Sequence, residues 1–535
     1  MRRRGKRGWD NKGMASYNGE AGPASAPAIS QRSGERFVLA DLLRAWQIAP
    51  EFHAGISPRW RCELVPAADS EEEVRQHVLD GTPVLVPHEC GRAACAQVGD
   101  DALGFLTDDP ARNQFPRPKI AFVAGWGGPG TLLDDDDELQ LVDSFQSVLE
   151  RSDSGKPLNL QMFHRDDEDA PRIPKLPEAL VWPLPDLFGG GEQGPANGTE
   201  APAVRHPCDM ATRVSARGAL TWWHLDDGGE FVMQVGLPLG PRTLQAPTLY
   251  GPNGKPIVKL FIFAARDAYE FICQDAETNK TRKFSHLDLF NTPSHWLPEP
   301  CDPAQGGDPL PVLWVAPLEA GGRPLLSPPN VPHLVITLQH CVMVEKRIIS
   351  VLFLDEVHYF MAKAARDWDD QPKMYPLLTE TLQDPAAVKS QVLLPLKGIL
   401  LSHPDARVRA RARASLQTLV AGAGKFFKVD AASVAECNGL LARPEVVELP
   451  LDKRTKMQAQ LLGALASKRL PAGVTELASG RWAACVHVRG RPMWGRVRES
   501  MKEAVADRKE LLSTRKLGLE ALEAFFRELR PAAQV

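Results

Sequence analysis

Apolar and polar positions repeat along the chain with two different periods, and the change from one to the other divides it. After a polar stretch, FVLADLLRAWQIAPEF carries apolar residues at helical spacing, and EEEVRQHVLDG reads as a helix that ends at a glycine. GTPVLVPHE reads as a first buried strand. From about 84 to 360 short β-like runs alternate with Pro- and Gly-rich connections: KIAFVAGW, LNLQMF, GALTWWHLD, EFVMQVGLPL, IVKLFIFAA, YEFICQD, PVLWVAPL, HLVITL and RIISVLFLDEV. Many short strands set between turn signals predict a sandwich or barrel and not a series of βαβ units. The expected fold is therefore α+β, built on a jelly-roll-like double sheet with flanking helices.

Near 360 the period becomes helical. HYFMAKAARDW, AAVKSQVLLPLKGILLS, RARASLQTLVAGAGKFF and KMQAQLLGALASKRL all predict helices packed on, or following, the sheets. From about 471, PAGVTELASGRWAACVHVRGRPMWGRV reads as two or three short strands with Gly turns, and ESMKEAVADRKELL as a helix. The expected units are a lead-in over 1–34, a β-rich unit with N-terminal helices over 35–360, a helical region over 361–468, and a β-then-α module over 469–535. No internal repeat is present.

Composition narrows the class. At 535 residues the chain exceeds what one hydrophobic core organises, which agrees with several units. The 46 prolines and 42 glycines suit long connections better than a helical bundle. With 63 basic and 67 acidic side chains, the whole-chain charge of -4 does not select a partner, but its distribution is uneven. The first thirteen residues hold six basic side chains, as a nuclear-import signal, a phosphate-binding arm or a solvated tail would. Asp134 to Glu138 is an acidic run expected on a surface loop. The nine cysteines are scattered with no CxxC pair, and Cys90 and Cys95 alone make a poor zinc site, so a reduced compartment is expected. No stretch of eighteen apolar residues occurs and the N-terminus lacks an apolar signal core, so neither a membrane nor a secreted location is expected.

Candidate chemistry centres on TWWHLDDGGEF, which begins at Thr221. His224 and Asp226 lie two apart in a strand-like run, so both side chains meet one face and can reach one metal ion. A second histidine completes a site: His333 opens HLVITL after the Pro-rich turn SPPNVP. Two histidines and one carboxylate on one side of a metal leave open positions, the arrangement of non-haem iron(II) oxygenases. Asp227 is an alternative ligand, but as a strand neighbour it should face away. Between these motifs, Lys259 interrupts the apolar run PIVKLFIFA. Burying an unpaired ammonium costs several kcal/mol, so a carboxylate partner is expected for it, from a protein acid or from a ligand. His340 reads as a turn residue, Gly189 to Gly191 as loop glycines, and Arg407, Arg409, Arg411 and Arg413 as a solvated helical face.

The order of these three motifs resembles the JmjC family of iron(II)- and 2-oxoglutarate-dependent oxygenases, over about 83–356. TWWHLDDGGEF is similar to the family's first-ligand strand, PIVKLFIFA to its co-substrate lysine strand, and SPPNVPHLVITLQHCV to its second-histidine turn and strand. The resemblance implies a double-stranded β-helix of the jelly-roll or cupin type. It assigns iron(II) to His224, Asp226 and His333, and 2-oxoglutarate to Thr221 and Lys259, with O2 as oxidant. The two histidines stand 109 positions apart, longer than the family leads one to expect, and insertions near 236–256 and 275–322 account for it. The chemistry implied is hydroxylation of a C–H bond with release of CO2 and succinate. On an N-methyl group the product collapses to formaldehyde. The resemblance runs closest to the histone-demethylase branch, which implies a methyl-lysine substrate on a histone or other protein and a nuclear or cytosolic location. Two alternatives stay open: a protein or nucleic-acid hydroxylase using the same iron site, and a non-catalytic chromatin-binding protein.

Residues 471–511 resemble the AP2/ERF type of DNA-binding domain, through Ser-Gly-Arg-Trp-Ala-Ala, a Gly turn, a Trp-Gly pair and a helix with Glu-Ala-x-x-x-x-Arg. That likeness implies a sheet that reads the major groove through Arg481, Arg489 and Arg491, with His487 beside them. From Lys468 onward 14 basic residues face 8 acidic ones, a local excess that suits phosphate contact. Thr475 and Leu477 stand where that family usually has arginines, and a protein-binding or structural module is the alternative.

Overall fold

Strand pairing sorts the β-like runs into two large sheets and two small ones. In the computed structural model the described residues are 37–45, 61–123, 139–150, 157–163, 173–174, 210–264 (without 225, 227–228, 246–247 and 252), 270–275, 281–285, 296–300, 313–367 (without 332), 382–449 (without 425), 474–476, 481–488 and 491–516. The lead-in over 1–34, the acidic run from Asp134 to Glu138, Gly189 to Gly191, Asp227, Arg489 and the helix expected over 456–470 lie outside them.

The six-stranded sheet runs β1 (Phe37–Val38), β2 (Arg61–Leu64), β14 (Leu313–Glu319), β10 (Ile257–Phe263), β16 (His333–Thr337) and β8 (Leu220–His224). The eight-stranded sheet runs β3 (Val84–Leu85), β15 (Leu325–Ser327), β9 (Phe231–Gly236), β17 (Cys341–Ile348), β7 (Met210–Ser215), β6 (Leu158–Phe163), β4 (Gln114–Val123) and β5 (Leu139–Ser144). Every pairing in them is antiparallel except β2 with β14. The two sheets exchange strands in a nested way: β7 pairs with β17, β8 with β16, β9 with β15, and β10 with β14. Among the described residues neither sheet closes on itself.

Alternation along each strand gives the eight-stranded sheet two unlike faces. Phe231, Met233 and Val235 of β9 point outward, where Gly91 of α3 (Glu89–Val98) lies so close that a Cβ on it would stand 3.0 Å from Val235 Cγ1. That outer face is apolar and packs with buried residues of helices, including Val74 and Val78 of α2 (Glu71–Asp80), Leu103 and Leu106 of α4 (Ala102–Thr107), and Phe145 of α6 (Phe145–Glu150), after the short α5 (Pro110–Asn113). The helix α2 is closed by Ser70, whose hydroxyl accepts from Glu73 N, and by Gly81 at φ 72°, as its sequence pattern predicts. The inner face carries Arg213, Ser215, Gln234, Glu345 and Arg347 instead. Across it, Lys259 of β10 reaches from the other sheet to Ser215. The sheets thus face each other over an interior with a strong polar component.

Several sequence expectations change at this level. RIISVLFLDEV is not one strand: β17 is CVMVEKRI, and the apolar run after it turns through a 3-10 segment (Val351–Phe353) into α7 (Leu354–Asp367). Ser350 sets that switch, its hydroxyl accepting from Leu352 N. YEFICQD belongs to neither large sheet; β11 (Glu270–Asp275) pairs with β12 (Thr281–Ser285) and β13 (Trp296–Pro300) in a separate sheet. These three strands lie in the connection between β10 and β14, and the stretch expected as an insertion over 275–322 includes 313–319, a strand of the main sheet. β7 and β15 were not expected from the pattern at all.

Beyond α7, a π-helical stretch (Val388–Leu393) runs into α8 (Leu394–Ser402), followed by α9 (Ala406–Ala421) and α10 (Ala431–Leu441). The arginines of α9 do not form a solvated face. Arg411 is fully buried, 2.5 Å from Asp355 of α7 and with its guanidinium 4.4 Å from the Phe353 ring centroid. Arg407 binds Asp80 and Gln76 of α2, and Arg413 donates to Val447 O and Leu449 O. A spacing of two spreads side chains around a helix, and here several of those directions meet protein. Near the C-terminus, β18 (Val474–Glu476), β19 (Trp482–Val488) and β20 (Arg491–Arg498) form a three-stranded sheet next to α11 (Met501–Lys516), with Val474, Ala483, Ala484, Ala504 and Leu511 buried. Among the described residues no helix is long and apolar enough to cross a membrane.

Candidate metal and co-substrate site

Three adjacent strands of the six-stranded sheet hold the candidate residues in register. His333 of β16 stands opposite His224 of β8, and Val335 opposite Thr221, with an irregularity between them. Three residues of β8 thus span two of β16, as a bulge does, and this lets positions 221 and 224 match partners of one face despite their odd spacing. On the other side of β16, His333 stands opposite Phe263 of β10, Val335 opposite Phe261, and Thr337 opposite Lys259. Lys259, Phe261 and Phe263 alternate onto one face. Lys259 therefore lies about 13 Å along the strand from the histidine row, a span that its own side chain and a five-carbon dicarboxylate can share.

His333 is 2% exposed and lies against Phe261 and Phe263, whose ring centroids are 6.3 and 5.3 Å from its own. Its Nδ1 lies 3.0 Å from Val331 O. An N–H donated there puts the proton on Nδ1 and leaves the Nε2 lone pair for a ligand, the usual way a backbone carbonyl fixes a metal-binding imidazole. Nε2 lies 3.6 Å from Oδ2 of Asp226, whose side chain is 11% exposed. Two bonds of about 2.1 Å to one ion, at right or tetrahedral angles, would separate their donor atoms by about 3.0–3.4 Å, so the observed gap is near that needed. Of His224 only the backbone is described. Among the described residues no group of three His, Cys, Asp or Glu side chains gathers as a complete metal cage. Asp226 and His333 are thus brought together, and His224 is placed beside them by register.

The turn after Asp226 and the turn before His333 are both held by special backbone. Gly229, three residues after Asp226, has φ 68°, and a Cβ on it would lie 2.7 Å from the backbone of Glu356 and Val357 at the start of α7. Only glycine fits that approach. Asn330, three residues before His333, has φ 52°, which asparagine tolerates better than most residues. It is buried, and its Nδ2 donates to Glu356 O at 3.1 Å and to Glu356 Oε2 at 2.8 Å.

Lys259 is 3% exposed, and its Nζ donates to Ser215 Oγ at 2.9 Å, which in turn bonds Asn159 Oδ1 at 2.9 Å. Burial pushes its ammonium below the usual lysine range; Arg213 pushes the same way, while Cys341 and Glu345 oppose it. The neighbouring cations have carboxylates: Arg213 Nε lies 2.6 Å from Glu345 Oε1, and Arg347 pairs with Glu230 and stands 3.6 Å from Glu345 Oε2. The hydrogen bond of Lys259, by contrast, goes to a neutral hydroxyl. Gln234 Oε1 and Ser327 Oγ are buried with no hydrogen-bond partner among the described residues. A carboxylate with further polar atoms fits beside the Lys259 ammonium and these buried groups on hydrogen bonding. Thr221 is half-buried, in a row between Lys259 and His333.

Of the residues expected to read DNA in the C-terminal module, the described ones stand at two ends of its sheet. Arg481 is exposed, precedes β19 and stands 3.9 Å from Glu499. His487 and Arg491 are at the opposite end, where β19 and β20 meet, with His487 paired to Pro492 and Val488 to Arg491. Six residues of strand, about 20 Å, separate Arg481 from His487. Arg498 binds Asp507 of α11 through two contacts of 2.6 Å, which fastens the helix to the sheet.

Sequence reasoning missed Ser215, Asn330 and Glu356, while the glycine pair after the carboxylates, which includes Gly229, stood out in the sequence. The positive-φ candidates carried a signal, as Asn and Gly in turns next to ligand residues; Ser215 and Glu356 carried none. His340, between β16 and β17, accepts from Arg217 N at 2.9 Å. No protein-family model matches the chain, and no curated protein matches it in a sequence search.

Proposed function

We propose that the protein is an iron(II)- and 2-oxoglutarate-dependent dioxygenase with a jelly-roll double sheet of the JmjC kind. The observation that carries this reading is the placement of the His333–Asp226 pair and the buried Lys259 on the inner side of one sheet, in register with His224. The nested strand pairing supports the jelly-roll reading. Taken in chain order, β7, β8, β9, β10, β14, β15, β16 and β17 pair first with eighth, second with seventh, third with sixth and fourth with fifth, as a long hairpin rolled into two sheets does.

In this reading His224, Asp226 and His333 hold the metal, and Lys259 holds the distal carboxylate of 2-oxoglutarate with Thr221 beside it. A centre of this type supplies C–H hydroxylation coupled to conversion of 2-oxoglutarate and O2 into succinate and CO2. The chain's own residues bind and orient. Val331 O keeps the His333 proton on Nδ1, and Phe261 and Phe263 shield the histidine from water. Ser215 holds the Lys259 ammonium toward the interior. The substrate we propose is methyl-lysine on a histone or other protein, with nuclear location and DNA contact through the C-terminal module as part of the same reading.

The test is succinate formation by iron-reconstituted protein, with formaldehyde followed in parallel on methylated histone peptides. Succinate with formaldehyde supports demethylation. Succinate with a stable alcohol on protein or nucleic acid replaces demethylation by hydroxylation. No 2-oxoglutarate turnover, with His224→Ala indistinguishable from the parent chain, removes the enzyme reading.

A further inference from the structure

The turn after Asp226 and the turn before His333 are far apart in sequence and converge on one residue of α7. Gly229 packs against the backbone of Glu356 so closely that no Cβ is accommodated. Asn330 donates to the backbone carbonyl and to the carboxylate of the same Glu356, and both side chains are almost wholly buried. The next residue toward the N-terminus, Asp355, binds the buried Arg411 of α9. One end of α7 thus ties both ligand turns to the helical segment.

From this convergence we infer that Asn330 and Glu356 are positioning residues that set the separation of Asp226 and His333, with α7 and α9 as the brace behind them. The inference rests on the metal-site reading above. Neither residue touches the ion in this account. Asn330 holds the positive-φ turn from which Val331 O and His333 follow, and Glu356 is the post to which that turn and the Gly229 turn are fixed. A shift of the post relative to either turn changes the 3.6 Å gap between His333 Nε2 and Asp226 Oδ2. Partners of this outer kind matter because they hold ligands in a geometry the metal selects.

The test uses the full chain and cobalt(II) alone as probe, read by its ligand-field absorption, with thermal melting of the metal-free protein alongside. Asn330→Asp is isosteric and tolerates the same backbone, but it sets an acceptor against the Glu356 carboxylate. It should weaken cobalt binding by about tenfold or more and alter the band shape. Glu356→Gln, which retains an oxygen acceptor, should bind cobalt nearly as the parent does. The double variant N330D/E356Q reverses donor and acceptor and should recover most of the lost affinity. If the parent binds cobalt in an Asp226-dependent way and folded Asn330→Asp binds it with unchanged affinity and spectrum, the positioning role is overturned. Should Asn330→Asp not fold, Asn330→Gly, which keeps the positive φ and loses both bonds, decides the matter by the same two readouts. If the parent binds no cobalt, or Asp226→Ala leaves binding unaltered, the metal-site reading itself is lost and this inference with it.

Discussion

Replacing Arg411 tests whether the helical segment is a structural part of the β-rich unit. Arg411 is fully buried, 2.5 Å from an Asp355 that is 4% exposed, and over the ring of Phe353, which itself packs edge-on against Phe231 of β9 at 4.9 Å. Arg411→Met keeps most of the side chain's volume but leaves the Asp355 carboxylate buried without its cation. Breaking one partner of a buried pair costs about 3–5 kcal/mol, and loss of a desolvated cation–π contact adds up to about 2 kcal/mol. Against a native stability of roughly 5–15 kcal/mol, that is a large fraction. Removing both charges is different, since a buried ion pair exchanged for apolar side chains is often neutral or stabilising. R411M/D355L should therefore be much closer to the parent than R411M. The assay is urea unfolding followed by far-ultraviolet circular dichroism, with midpoints compared at matched slope. An R411M loss below about 1 kcal/mol, or a double variant no more stable than the single one, would refute the reasoning.

Other expectations are simpler. Gly229→Ala should cost at least about 2 kcal/mol in urea unfolding, from positive φ plus a backbone clash, whereas Gly254→Ala, at φ 68° with open space around it, should cost about 1 kcal/mol or less. Lys259→Met should abolish 2-oxoglutarate binding in calorimetry while leaving cobalt binding intact; loss of neither would remove Lys259 from the site. For the parent chain, affinity for 2-oxoglutarate should fall as pH rises through a lysine pKa lowered by burial from the ordinary 10.5, because only the cation pairs with a carboxylate. Stability should decline with alkali above about pH 9. Burial holds the Cys90 thiol up to about 11 and the Cys62 thiol up to about 12, so unfolded thiols lose protons that folded ones keep. Cys62→Ala with Cys90→Ala should flatten that decline. Arg498→Ala should speed amide exchange in β20 and α11 by a factor of a few, since it removes about 1 kcal/mol of a partly exposed bidentate pair.

Periodicity made part of this legible. LTWWH, the lysine strand and HLVITL are continuous apolar or alternating stretches, and each occupies a strand of one sheet, whereas Asp226, expected on the same strand run as His224, lies past its end. The cap and glycine stop of α2 are local chemistry and could be read in place. What stayed hidden depends on long-range contact. MATRVS mixes apolar, small and charged residues because one face of β7 meets the apolar packing and the other meets a polar interior, so it lacks the signature of a buried strand. Ser215 has no meaning until Lys259 crosses from the other sheet. SVLFLDEV is apolar enough for a strand or a buried helix, and only its position after Ser350 decides for the helix. Arg411 looked solvated because arginine usually is. Its burial depends on Asp355, 56 residues earlier.

A polar interior has a consequence for where stability comes from. An ordinary double sheet packs its two inner faces as one apolar core. Here the inner face of the eight-stranded sheet is shared between Arg213, Ser215, Gln234, Glu345 and Arg347, which contribute little hydrophobic burial, and apolar residues such as Val232, Leu325 and Met343. The loss has to be offset on the outside, and the outer face of that sheet is apolar and covered by helices from before β4. The helices after β17 serve the same end on the same outer face, since Phe353 of the 3-10 turn packs on Phe231 while Arg411 closes over Phe353. On this view the helical elements that precede and follow the strands in the chain are what permit an interior with buried charge. The destabilisation expected of R411M and the loosened metal site expected of N330D are then two effects of one brace. They should also be coupled: R411M, where it remains folded, should weaken cobalt binding, while an exposed change such as Arg92→Ala should not.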